Sequence, residues 1–86
     1  AMISEERVEA IAAAVATSGF DRNARVAVQQ QFVGTPLTYC LLDEMGSQEP
    51  FREFAGFSLF LVGSSSHCLS LTSTLDDATG VVIAQE

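Results

Sequence analysis

Apolar residues in the first fifth of the chain recur at helical spacing. Val8, Ile11, Ala12 and Val15 follow the i, i+3, i+4, i+7 stripe. Ser4 stands where an N-cap belongs, Glu5 and Glu6 suit the positive end of a helix dipole, and Gly19 supplies a stop. The pattern predicts a helix from about residue 5 to 17. Asp21 is a second N-cap, and Ala24, Val28 and Phe32 repeat at i, i+4, i+8 before Gly34 and Pro36. Val26-Ala27-Val28 also alternates as a strand would, but the three glutamines that follow favour a helix. From Leu37 the pattern changes. Residues 37–42, 57–62, 67–73 and 80–84 read as strands, 43–56 as a long acidic loop and LDDATG (75–80) as a turn.

The order ααββββ predicts an α+β fold, two N-terminal helices packed on one face of a four-stranded antiparallel sheet, in a single domain over residues 2–86. A three-residue loop at Ser64-Ser65-Ser66 sets Leu61 opposite Leu69 and Leu59 opposite Leu71. Phe57, Leu59, Leu61, Leu69 and Leu71 then form the face under the helices. The opposite face carries Ser58, Phe60, Val62, Cys68, Ser70 and Thr72 and is too apolar for a purely solvated surface. Phe60, Val62, Cys68 and Ser70 are therefore the expected partner-binding residues, in a twofold homodimer or against a protein partner.

Composition narrows the partner. The chain has 86 residues, 48% of them hydrophobic, which is enough to fold but leaves a small core that an interface would extend. Eleven acidic residues face four basic ones, all arginine, for a net charge of −7. Such a surface repels phosphate backbones and anionic headgroups, so neither nucleic acid nor membrane is expected as a partner. AIAAAVA is too short to span a bilayer, and the acids before it do not suit a secretory signal; the expected location is the cytoplasm. Ala1 ahead of Met2 reads as the remnant of an expression tag.

The candidate chemistry is thin. His67 and Cys68 are strand neighbours whose side chains point to opposite faces, so they do not readily share a metal ion. A Cys40–His67 catalytic pair is opposed by the same alternation, since Cys40 is in phase with Thr38 on the far face. The serines at 64–66 precede a strand, not the helix that a nucleophile elbow requires, and small residues in a hairpin turn account for them. Asp43-Glu44 and Asp76-Asp77 lack calcium-loop spacing. No cofactor is expected. The leading reading is a small, acidic, non-enzymatic accessory or protein-binding protein; the alternative is a small-ligand or metal-binding domain using Cys40, His67 and Cys68.

TYC at 38–40, GFSLFLV at 56–62, HCLSLT at 67–72 and ATGVVIA at 78–84, with the leading MISEERVEAIAA, resemble a family of small uncharacterised bacterial proteins often encoded beside nitrogen-fixation genes. The loop DEMGSQEP departs from that pattern. The resemblance implies a cytoplasmic accessory protein near nitrogenase maturation, protection or electron supply, and no particular activity.

Overall fold

The computed structural model describes residues 3–65, 68–72 and 74–86, excepting the side chains of 64, 65 and 68–70. Helix α1 spans Glu5–Ser18 and is capped by the Ser4 hydroxyl, which accepts from the Arg7 amide; the stripe Val8, Ile11, Ala12, Val15 is its buried face. Gly19 closes the helix at φ +87°, a left-handed value that a side chain would strain. Helix α2 spans Arg22–Gln31, with Asp21 accepting from the Ala24 amide at 2.8 Å and with Ala24 and Val28 buried. Both caps and the first stripe are those that the sequence predicts; of the second stripe Ala24 and Val28 are buried in the helix, whereas Phe32 stands just past its end and is half-buried.

The sheet is five-stranded and mixed. Strands β1 (Leu37–Leu41), β2 (Arg52–Phe54), β3 (Phe57–Ser65), β4 (Cys68–Thr72) and β5 (Ala78–Gln85) assemble in the order β1-β5-β3-β2, and β4 pairs with β3. The four-stranded antiparallel meander is thus corrected in two ways. The loop expected over 43–56 contains β2, which forms a hairpin with β3 across Ala55-Gly56, with Phe54 opposite Phe57. The first strand does not pair with the second: β1 runs parallel to β5 at the sheet edge, with Leu37 opposite Val81 and Tyr39 opposite Ile83. The chain reaches β5 only after passing through β2, β3 and β4, and residues 42–51 carry it from the β1 edge across to β2.

Leu59 and Leu61 pack with Val8, Ile11, Val15, Val28, Val81 and Ile83 in one buried cluster, the helix side of the sheet. At the far end of that side a 3₁₀ turn, Leu75–Asp77, connects β4 to β5 and crosses β3 at Gly63. A Cβ on Gly63 would lie 2.6 Å from the Asp77 carbonyl oxygen, so the crossing depends on the missing side chain. Beside it the β3–β5 register shifts between Val62 and Gly63, leaving Thr79 as the extra residue, and the Thr79 hydroxyl donates to the Val62 carbonyl.

The β3–β4 register also differs from expectation. Val62 lies opposite Leu71, Leu61 opposite Thr72 and Ser64 opposite Leu69. Ser64 and Ser65, expected with Ser66 in a three-residue loop, instead continue β3 beyond Gly63 and change the parity of the pairing; Ser66 lies outside the described residues. Leu71 therefore shares a side with Val62 and not with Leu59, and it is 37% exposed.

Phe60 brings the largest correction. It lies on the face away from the helices, as alternation demands, yet it is only 2% exposed. Ser58 and Ala84 on the same face are equally shut off from solvent. The cover is the crossing segment 42–51, which leaves β1 at one edge and reaches β2 at the other. Its 3₁₀ turn, Leu42–Met45, packs on β1 and β5, and Met45 Sδ sits 3.6 Å from Cys40 Sγ on this face. Ser47, Gln48 and Glu49 then lie beside Leu71 and Thr72 of β4. A loop within the chain thus supplies the cover that the sequence reading assigned to a partner.

Candidate interaction surface

The four residues expected to bind a partner do not form one exposed patch among the described residues. Phe60 is core, and Val62 is half-buried beside a small hollow lined by Pro36, Thr38, Thr79 and Gly80. In the β3–β4 ladder Ser70 lies opposite Gly63 and Cys68 opposite Ser65; their side chains, and the whole of His67, lie outside the described residues.

Cys40 is half-buried and opposite Ala84, so it does share the face away from the helices. Burial, and secondarily the Glu44 carboxylate, raise its thiol pKa, which disfavours the thiolate needed for nucleophilic attack or metal binding. Its sulfur contact is Met45. Among the described residues no three His, Cys, Asp or Glu side chains come together as metal ligands. No helix there is long and apolar enough to cross a membrane.

A different surface emerges along the β1 edge. On α2 the buried stripe is Ala24 and Val28, which leaves Val26 on another side of the helix, 52% exposed. Val26 lines an open groove of about 280 Å³ with Arg25, Gln29, Gln30, Leu37 and Tyr39. Leu41, 55% exposed, ends the same strand. Arg25 lies over the Tyr39 ring at 4.7 Å from its centroid, and its Nε donates to the Phe20 carbonyl. The Tyr39 hydroxyl is buried without a hydrogen-bond partner among the described residues. Burial raises its pKa, and the Arg25 charge offsets part of that rise.

Gln29 closes one end of this surface. Its amide donates to the carbonyls of Phe32 at 3.2 Å and Thr35 at 2.9 Å, and its oxygen accepts the Leu37 N–H at 2.9 Å. One side chain thus ties the end of α2 to the start of β1. Helix propensity accounts for the glutamine run but does not reveal that use. Val26 did carry a signal, because it is apolar and falls off the Ala24–Val28–Phe32 stripe.

Residues 10–86 match the model of a family of unknown function, DUF6129. The chain belongs to this family. The DUF6129 match takes in α1 from residue 10, all of α2, the five described strands and the crossing segment, so the groove and the covered sheet face both fall within the family's extent. None of the curated proteins and no solved structure matches the chain.

Proposed function

We propose that this DUF6129 chain is a small, acidic, non-enzymatic accessory protein that works by binding another protein. The observation that carries the reading is the apolar groove between α2 and β1, where Val26 of the helix is half exposed and Leu41 at the end of the strand is exposed as well. The reading draws further support from the raised thiol pKa of Cys40, which suits neither nucleophile nor metal ligand. The net charge of −7 points to a partner with a basic surface. The resemblance of TYC, GFSLFLV, HCLSLT and ATGVVIA to proteins encoded beside nitrogen-fixation genes supplies the proposed setting, an accessory step in nitrogenase maturation, protection or electron supply.

Affinity capture from nitrogen-fixing cells tests this, with the wild type compared against Val26→Asp and Leu71→Asp. A protein retained by the wild type and lost from one variant, while both variants keep the wild-type melting curve, is the expected result. Identical retention profiles for all three would overturn it, as would stoichiometric metal in protein purified without oxygen.

A further inference from the structure

Among the described residues strand β1 has a partner on one side only, and its outward amides can be counted. Within a strand the N–H and C=O of one residue point to the same side, and successive residues alternate. The Val81 N–H donates to the Pro36 carbonyl, so Pro36, Thr38 and Cys40 address β5, whereas Leu37, Tyr39 and Leu41 address the open edge. Two of the three outward amides are already taken by side chains: Leu37 N–H by Gln29 Oε1 and Leu41 N–H by Glu44 Oε1, each at 2.9 Å. That leaves the Tyr39 N–H as the one outward amide of β1 without a partner among the described residues, and with the Tyr39 C=O it is aimed off the sheet, directly beside the groove that holds Val26.

We propose that Tyr39 is a one-residue docking notch for an extended segment of a basic protein partner, deepening the protein-binding reading on which it rests. The segment runs antiparallel to β1, and one of its residues exchanges both main-chain hydrogen bonds with Tyr39. The side chain of that residue lies on the same side as the Tyr39 ring, the groove side, and is therefore apolar, meeting Val26 and Leu37. Residues two to four places before it pass the 3₁₀ turn that carries Asp43 and Glu44 and are Lys or Arg.

Charge selects this occupant over a second copy of the chain. Three of the four guanidinium groups lie over the chain's own rings, Arg7 on Phe32, Arg25 on Tyr39 and Arg52 on Phe51, and Arg52 also pairs with Glu5. The acids greatly outnumber these paired cations. A twofold pairing of two β1 edges about Tyr39 would bring Arg25 towards Arg25 and one chain of charge −7 against another.

Random heptapeptides displayed on phage, panned against the folded full chain, test the proposal. The expected consensus is an apolar residue preceded at two to four positions by Lys or Arg. The best peptide is then resynthesised with a single N-methyl group, placed in turn at each amide. Methylation at the apolar residue should weaken binding about tenfold by removing the bond to the Tyr39 carbonyl, and methylation of the amides on either side should leave it unchanged. In ¹⁵N spectra the Tyr39 amide should shift on binding, and Val26→Asp should abolish the shift. An acidic or charge-free consensus, equal tolerance of methylation everywhere, or shifts centred on Leu71 would overturn the notch. Shifts at Leu71 would leave the protein-binding reading standing. A Tyr39 amide already protected from exchange in the peptide-free chain, with light scattering at dimer mass, would assign the edge to a second copy and also refute the proposal.

Discussion

The two faces of the sheet are covered by opposite means. On one, α1 and α2 lay regular stripes over Leu59 and Leu61; on the other, the irregular crossing 42–51 closes over Ser58, Phe60 and Ala84. Both covers exclude water almost completely from the residues beneath them, although Val62 and Leu71 at the rim of the loop cover stay partly exposed. A helical cover announces itself in sequence by its period, whereas a loop lying over a sheet repeats nothing. The difference teaches that an apolar residue on the face opposite the helices is evidence of a cover, not of a partner.

The strongest way to break that comparison is Phe60→Asp. If the crossing segment buries Phe60 as fully as the helices bury Leu59, a carboxylate there has no solvent and no cation, and the chain should lose most of its folded population. Circular dichroism showing a folded Phe60→Asp protein would mean that the segment lifts off at little cost. Leu59→Ala, on the helix side, should cost about 2–5 kcal/mol in urea denaturation, the usual loss for an emptied core site. Gly63→Ala comes next, at about 1–3 kcal/mol, because its methyl group meets the Asp77 carbonyl where the 3₁₀ turn crosses the strand. Leu71→Ala should cost under about 1 kcal/mol, since Leu71 sits opposite Val62 at the rim of the loop-covered face and is partly exposed. Equality of Leu71→Ala with Leu59→Ala would restore the register that places both under the helices.

The smallest effect belongs to Tyr39→Phe. Removing a buried hydroxyl that has no partner should change stability by a few tenths of a kcal/mol near neutral pH. The alkaline limb should differ more. A folded-state pKa raised by burial means that the protonated phenol is favoured in the native protein, so the contribution is intact below the ordinary phenol value of about 10 and declines as pH rises through the native one. The phenylalanine variant should lack that decline. Tyr39 is the only tyrosine, so phenolate absorbance follows this one group; titration at or below the ordinary value would remove the argument.

Much of the helical layer was legible because its determinants are local. Ser4 and Asp21 cap within three residues, and Val8 to Val15 and Ala24 to Val28 carry their period in their own spacing. The α+β class followed from those stripes and from the apolar runs at Leu37, Phe57 and Val81. Strand order was not legible, since nothing in LTYCL marks it as the partner of the last strand over the first hairpin. The hairpin register failed at Gly63-Ser64-Ser65, where turn-like composition belongs to a strand that another segment crosses. The groove failed for a similar reason. Val26 is conspicuous on α2, but its neighbour across the groove, Tyr39, is brought there only by the β1–β5 pairing.

Strand β3 borders β5 along one side and is shared along the other by two strands end to end, β2 against residues 57–59 and β4 against 61–65. Neither of these short strands borders β5, so β2 can separate from the sheet without disturbing the β3–β5 ladder. Amide hydrogen exchange should then be hierarchical. The Phe60 and Val82 amides should exchange only when the whole chain opens, whereas Arg52 to Phe54 should exchange through a cheaper local opening held back by the Phe54–Phe57 ring stack at 5.1 Å and the Arg52–Glu5 pair. Because β2 is also where the crossing segment ends, that opening would slacken the strap over Phe60 long before the helices release their own face.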